Sequence, residues 1–307
     1  MNDQSAVPEA LELLHTEQVN PLTADLDLLS TLEMVRRMNN LDQEVPARVA
    51  AEADSIARAV DLVVARFKAG GRLVYVGAGT SARLGFMDAA ECPPTFGVPA
   101  DQVTCVMAGG RAAVFTPGEG CEDDAGQAGR DLAAFGLRPA DVVMAIASSG
   151  RTPYCIGALQ HAAQIGAGTI ALSCNKQARL SAFADVAIEV DSGPEAIMGS
   201  TRLKGGTAQK LVLNMVSTLA MVQMGHVYRN LMVNVRGSNY KLSRRTLRIF
   251  AEATGQTDPA AASRQLMAAG GELKVAILME MAGIGADEAR RRLQAGGGYL
   301  RQALALK

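Results

Sequence analysis

The chain contains no tryptophan, and aromatic residues make up only 4% of its 307 residues. A ligand site that relies on broad aromatic stacking is therefore excluded, and a polar ligand has to be held by charge and hydrogen bonds. The three histidines, His15, His161 and His226, are isolated and show no metal-ligand spacing. The five cysteines (Cys92, Cys105, Cys121, Cys155 and Cys174) form no CxxC pair, which predicts buried free thiols in a reducing compartment. No uninterrupted apolar stretch approaches the ~20 residues that cross a bilayer. The net charge of −1 supplies no basic footprint for nucleic acid or an anionic membrane surface. Met1 to Ala10 has neither a basic start nor an apolar stretch, so no secretory leader is expected and the expected location is cytoplasmic. No internal repeat of fixed period and no low-complexity segment is found.

What the chain does have is one informative stretch, Arg72 to Gly97, RLVYVGAGTSARLGFMDAAECPPTFG. Leu73 to Val76 reads as a buried strand. Gly77-Ala78-Gly79 then makes a glycine-rich turn, followed by Thr80, Ser81 and a helical pattern. Such a strand, turn and helix aim backbone N–H groups and the positive end of the helix dipole at one point. Arg83 adds further donors, so the turn suits an anion, most simply a phosphate. Pro93 disfavours helical geometry in the residue before it, which predicts a helix end near Glu91-Cys92 and leaves the Glu91 carboxyl there.

Four further strands are predicted, Val103–Met107, Val142–Ala147, Thr169–Ser173 and Val186–Val190, with helical connections between them. This alternation implies an α/β fold, a doubly wound parallel sheet of five strands flanked by helices, with ligands at the carboxyl ends of the strands. Ser148-Ser149-Gly150-Arg151-Thr152 repeats the strand–turn–helix logic on the same edge. Before the sheet, residues 1–23 read as a polar arm with at most one helical turn around Leu11 to Leu14, and helices are expected over Leu26–Met38 and Pro46–Phe67. Another helix is expected over Gly118–Ala134. Leu203 to Met224 is the longest helical candidate, read as a core or dimer-interface helix. Beyond Leu242, segments broken at Gly255, Pro259, Gly270-Gly271, Gly283 and Gly296-Gly297-Gly298 predict a small appendage of three or four helices. The expected division is an N-terminal arm and helix (1–44), a phosphosugar-binding domain (45–238) and a helical subdomain (239–307).

GAGTSARLGFMDAAECPPTFG resembles the signature of the N-acetylmuramic acid 6-phosphate etherases, members of the sugar isomerase (SIS) domain superfamily. LLSTLEMVRRMNNLDQEVP (Leu28 to Pro46), ASSGRTPY (Ala147 to Tyr154) and GSTRLKGGTAQKLVLNM (Gly199 to Met215) are similar to further blocks of that family. Ala82 departs from it, standing where many members have glycine. The resemblance implies cleavage of the lactyl ether of N-acetylmuramic acid 6-phosphate, giving N-acetylglucosamine 6-phosphate and D-lactate, in recycling of cell-wall amino sugars. It implies a homodimer, and it implies no metal or organic cofactor, because the aldehyde of the open-chain sugar holds the developing charge.

Glu91 and Glu122 are the candidate catalytic pair. Helix starts favour ionised carboxylates and helix ends disfavour them, so Glu122, near the start of its helix, is expected to stay charged while Glu91 protonates more readily. By spacing alone Glu122 better suits a surface residue of an acidic first turn; the resemblance reverses this, assigning it removal of the C2 proton and assigning Glu91 protonation of the departing ether oxygen. Thr80, Ser81, Ser148, Ser149 and Thr152 are the candidate phosphate ligands, with backbone help from Gly79 and Gly150 and with Arg83 and Arg151 nearby. Each hydroxyl is also a plausible helix cap. Lys204 and Arg202 are candidates for the phosphate or the lactate carboxylate, or for a solvated helix start; Asn239 and Lys241 are weaker ones. A catalytic thiol at Cys92 is not expected, since no histidine lies near it in sequence.

Three other functions fit parts of the pattern. Gly77 to Ala82 matches G-x-G-x-x-A of dinucleotide-binding oxidoreductases, but the second strand ends Val106-Met107-Ala108-Gly109-Gly110, without the acidic residue that would hold ribose hydroxyls. A non-catalytic phosphosugar regulator, as in glucokinase regulatory protein, fits the turns but makes no use of Glu91 and Glu122. An aldose–ketose isomerase shares the proton chemistry, while ECPPTFG favours the etherase.

Overall fold

The structure, a computed structural model, describes residues 11–116, 118, 120–235 and 240–306. Five apolar runs form strands β1 (Leu73–Gly77), β2 (Val103–Met107), β3 (Val142–Ile146), β4 (Gly168–Ser173) and β5 (Val186–Glu189). All pair parallel, in the order β2-β1-β3-β4-β5. The three inner strands are buried at every position, whereas the edge strands β2 and β5 alternate. A parallel sheet covered on both faces demands such continuous apolar runs, which is why each strand stands out in the sequence.

The chain runs from β1 outward to β2 and then returns past β1 to β3. The strand order reverses between β1 and β3, and a crevice opens at the carboxyl ends of strands at such a switch point. Gly77 lies opposite Ile146 in register, so the turns that follow β1 and β3 leave the sheet side by side.

Helices α1 (Thr31–Asp42), α2 (Val45–Ala50) and α3 (Ala53–Lys68) precede the sheet. The single helix expected over Pro46–Phe67 is thus two helices, parted at Ala51-Glu52. Glu52 is tied by its carboxylate to Lys176 and to the N–H of Glu189. α3 packs on β3, β4 and β5, while α5 (Ala125–Phe135) and α6 (Pro153–Gln164) cover the other face. Val74, Val76, Val143 and Ala145 meet Ala128, Leu132, Ala158 and Leu159 there. The N-terminal arm holds three short 3-10 turns between Leu11 and Thr23, more than the one expected, and the helix expected from Leu26 is a further 3-10 turn (Leu26–Leu28) followed by α1.

α4 (Gly79–Phe96) does not stop at Glu91-Cys92 but carries Pro93 and Pro94 inside its last turn. Proline's fixed φ is helical; what the two prolines lack is N–H donors, which leaves the carbonyls four residues earlier without intrahelical partners. Gly97 ends the helix in the left-handed region, and a Cβ there would lie 2.1 Å from the carbonyl oxygen of Asn234. Asn234 Nδ2 donates to Phe96 O at 2.8 Å. The glycine that closes ECPPTFG is required by this close approach.

The chain divides into two compact units, one formed by residues up to Asp88 with Val103–Val216, the other by Ala89–Gln102 with Ser217 onward. This division does not coincide with the sequence-based boundaries at 44/45 and 238/239, since residues 89–102 and 217–235 belong with the C-terminal helices. α4 and α7 (Lys204–Gln223) each belong in part to both units. The second unit contains α8 (Tyr240–Thr254), α9 (Pro259–Ala268), α10 (Leu273–Ala282), α11 (Ala286–Ala295) and α12 (Leu300–Ala305), more helices than the three or four expected. Helices this short are marginal alone, and they pack around α10, whose Leu273, Val275, Ile277 and Leu278 are buried. Among the described residues no helix is long and apolar enough to cross a membrane.

Candidate active site

The first turn is built from backbone. α4 starts directly after Ala78, and its first internal bond is Ala82 N–H to Ala78 O. The N–H groups of Gly79, Thr80 and Ser81 precede it and have no partner among the described residues, the condition that makes a helix start receptive to an anion. The hydroxyls of Thr80 and Ser81 make no side-chain hydrogen bond there either. Ala82, the departure from the family glycine, is fully buried and accepts a contact from Cys105 Sγ at 3.4 Å, so the turn accommodates the extra methyl. Arg83 lines the cleft beside this turn with two of its donors already engaged. Its guanidinium donates to the carbonyls of Val114 and Ala113, both at 2.8 Å, and so fixes the segment after β2.

The second turn is built from side chains. Gly150 N–H donates to Ala147 O at 2.9 Å and Gly150 O accepts from Leu180 N–H at 2.8 Å. Its backbone is therefore engaged; its contribution is shape, because a Cβ here would come within 2.4 Å of the Ala178 methyl. Arg151 N–H donates to Ser149 Oγ at 3.2 Å. Pro153 has no N–H, and Tyr154 N–H donates to Glu122 O at 3.0 Å, so two of the groups at the start of α6 are closed to a ligand. Thr152, the residue preceding α6, does not use its side chain as a cap. Ser148 Oγ accepts from Gln209 Nε2 at 2.9 Å. A hydroxyl that accepts one bond keeps its O–H; that of Ser148 faces the Cys174 thiol, while Ser149 is held in orientation with its donor to spare.

Glu122 lies before α5 rather than in its first turn. The helix begins at Ala125, and Asp124 is its cap, accepting from Gln127 N–H at 3.0 Å. That bond and its neighbours hold the Asp124 carboxyl below its usual pKa. Glu122 instead lines a cleft of about 160 Å³ with Gly79, Arg83, Met107, Gly118 and Cys121. A carboxylate thus fronts the first turn. Glu91 is exposed and sits within α4, five positions before its end, in the second unit. The helix-end environment expected for it is replaced by its place just before the two prolines.

Lys204 opens α7 and is buried, 2% exposed, not a solvated helix start. Arg202 is exposed. Asn239 lies outside the described residues, as does the side chain of Lys241. Four cysteines are buried and Cys121 is half-buried. Burial pushes the thiols of Cys155 and Cys174 up to about 12 and that of Cys105 higher still, so these remain protonated and inert.

Sequence reasoning missed the residues that brace the second turn. Asn175 Nδ2 donates to Ser148 O at 3.0 Å and to Thr16 Oγ1 at 2.9 Å, while its Oδ1 accepts from Thr16 N–H at 3.3 Å. Asn20 Nδ2 donates to Pro194 O at 3.1 Å, and His15 pairs with Asp191 at 2.9 Å. Burial opposes the ionisation of Asp191, but the His15 bond and charge outweigh it and hold the carboxyl low. The arm is therefore tied down at the carboxyl edge of the sheet. Gln209 and Glu195 were missed too; a carboxylate shortly before an apolar helix was the available signal for the latter.

Residues 55–163 match the glucokinase regulatory protein N-terminal SIS domain, and residues 127–222 match the SIS domain. A phosphoheptose isomerase from Francisella tularensis shares the fold, with a TM-score of 0.51 and 17% identity over 63% of this chain and 100% of that one. The N-acetylmuramic acid 6-phosphate etherase of Serratia proteamaculans is 53% identical over 294 residues, covering 96% of this chain and 99% of its own length. That of Rhizobium rhizogenes is 51% identical over 307 residues, covering 100% of this chain and 99% of its own. With half of all positions identical from end to end, two phosphate-type turns at the switch point and a carboxylate against one of them, the chain belongs to the N-acetylmuramic acid 6-phosphate etherase family.

Proposed function

We propose that the protein is a carbon–oxygen lyase that cleaves the D-lactyl ether of N-acetylmuramic acid 6-phosphate, releasing N-acetylglucosamine 6-phosphate and D-lactate. The observation that carries this reading is the 51% identity to an etherase over the whole chain; the placement of Glu122 beside the open N–H groups of the first turn supports it. The phosphate is bound by Thr80, Ser81, Ser148, Ser149 and Thr152, and Lys204 supplies a positive charge.

In the open-chain sugar the aldehyde acidifies the C2 proton, and the lactyl oxygen at C3 is a β leaving group. Glu122, as carboxylate, takes the C2 proton; the C3–O bond breaks, and Glu91, as carboxylic acid, protonates the departing oxygen. The resulting unsaturated aldehyde adds water at C3, with Glu91 now accepting the water proton and Glu122 returning its proton to C2. The role of Glu91 rests on the ECPPTFG motif in which it stands. We further infer action in amino-sugar recycling in the cytoplasm, supported by the free cysteines, and a homodimer, supported by Leu219 and Val222, which α7 leaves exposed. The test is D-lactate release from N-acetylmuramic acid 6-phosphate by the wild type and by Glu91→Gln. Release by the wild type with a loss of at least ~100-fold in the variant is expected; an inactive wild type overturns the etherase, and a fully active variant overturns the role of Glu91.

A further inference from the structure

We infer that Glu195 is a positioning residue for phosphosugar binding, clamping the start of α7 and thereby fixing the ammonium of Lys204 in the site. The inference rests on the reading of this site as a phosphosugar site.

Glu195 is fully buried, 0% exposed, on the segment that leads from β5 to α7. Its carboxylate accepts the first two N–H groups of the helix, Lys204 N–H at 2.9 Å and Gly205 N–H at 2.8 Å. A helix start at this edge of the sheet would otherwise attract the ligand's own anion. Here a carboxylate of the chain occupies it, so α7 presents to a ligand not its amides but the side chain of its first residue. Lys204 Nζ lies 3.6 Å from the position of a Cβ on Gly193, under the same segment. Its ammonium makes no hydrogen bond or ion pair with any other described residue. The side chain is buried, yet the ammonium itself keeps contact with solvent and has the Glu195 charge near it; a largely desolvated cation of this kind gains from an anion that arrives from outside.

The clamp also reaches the second turn. Ser148 Oγ is 3.4 Å from the position of a Cβ on Gly205, and Gln209, from the next turn of α7, bonds that same hydroxyl. Burial raises the Glu195 pKa, against the two N–H groups and the Lys204 charge that lower it. A carboxyl kept buried in spite of that cost has a placement role that an alanine could not fill.

Calorimetric affinity for N-acetylglucosamine 6-phosphate, measured for wild type, Glu195→Gln, Lys204→Met and the double variant, tests this. Glu195→Gln and Lys204→Met each weaken binding by roughly tenfold or more, as expected for lost charge-assisted bonds, while the double variant binds about as weakly as Lys204→Met alone, because one residue acts through the other. Multiplying losses, or wild-type affinity in a folded Glu195→Gln protein, overturn the inference. Should Glu195→Gln not fold, Glu195→Asp, which keeps the charge on a shorter stem, takes its place and shows the same non-additivity; if neither folds, Glu195 is a structural residue and the inference falls. A wild type that binds this sugar phosphate but releases no lactate overturns the etherase reading alone, and one that does not bind it overturns both.

Discussion

The two turns at the switch point resemble each other in sequence but not in how they are made. The turn after β1 leaves three successive N–H groups and two hydroxyls without partners among the described residues, and so offers open valences on a helix start. The turn after β3 has three of its amides engaged, by Ala147 O, Ser149 Oγ and Glu122 O, while those of Ser149 and Thr152 have no partner among the described residues; it also offers hydroxyls oriented by Gln209 and by backbone. An anion held by both meets a backbone cradle on one side and a braced side-chain clamp on the other. Loss of a single side chain should be tolerated better in the first than in the second.

The largest effect should come from the carboxylate that fronts the first turn. Glu122→Gln keeps shape and polarity but cannot take a proton, and general base catalysis typically contributes about 10²–10⁴-fold. Lactate release should fall by that factor while affinity for N-acetylglucosamine 6-phosphate changes only a few-fold. Equal losses of rate and affinity would make Glu122 a binding residue and bring the two turns closer in role.

Next comes Gly150→Ala. The added methyl meets the Ala178 methyl at 2.4 Å, and φ is +69°. Overpacking costs roughly 1–3 kcal/mol and a left-handed non-glycine residue about 1–2 more, so a large drop in Tm is expected, with weaker product binding in whatever folds. An unchanged Tm would show that the second turn is less rigid than its contacts indicate.

Ser148→Ala and Ser81→Ala compare the turns directly. Hydrogen bonds to charged groups are worth about 1.5–3 kcal/mol, so Ser148→Ala should weaken product binding by roughly tenfold to a hundredfold. It also strands Gln209, whose Oε1 already lacks a partner. Ser81→Ala should cost only a few-fold, since the neighbouring N–H groups remain. The reverse order, measured by calorimetry, would invert the distinction between the turns.

The parts legible in the sequence were those whose physics is local. Buried parallel strands must be continuous apolar runs, and all five were readable to within a residue or so at each end. Glycine-rich turns before helices announced the site's two sides. Illegible were features settled by distant partners. The sequence does not show that Arg83 also braces the carbonyls of Ala113 and Val114, 30 and 31 positions away. Asn175 and Thr16 meet across 159 positions, with no spacing to betray them. The start of α5 was misplaced because Gly118 to Glu122 carries helix-start composition while Asp124 provides the cap. α4 runs past Pro93 and Pro94 to Phe96 because the restriction that proline puts on the residue before it is a preference, and the close fit of Gly97 against Asn234 sets the helix end instead.

The smallest effect, and the sharpest test of a backbone-built turn, is Gly79→Ala. The position has φ +53° and nothing within 4 Å of an added Cβ, so space is not at issue and only conformational strain remains, about 1–2 kcal/mol. If the first turn binds through its N–H groups, the variant should fold with a slightly lower Tm and lose only a few-fold in product affinity, because a methyl that points into open space blocks none of the three donors. A loss as large as that of Gly150→Ala would mean that the ligand approaches the Gly79 Cα so closely that a methyl cannot be accommodated. The first turn would then be a steric surface fitted to its ligand, and its glycine would serve the bound state rather than the fold.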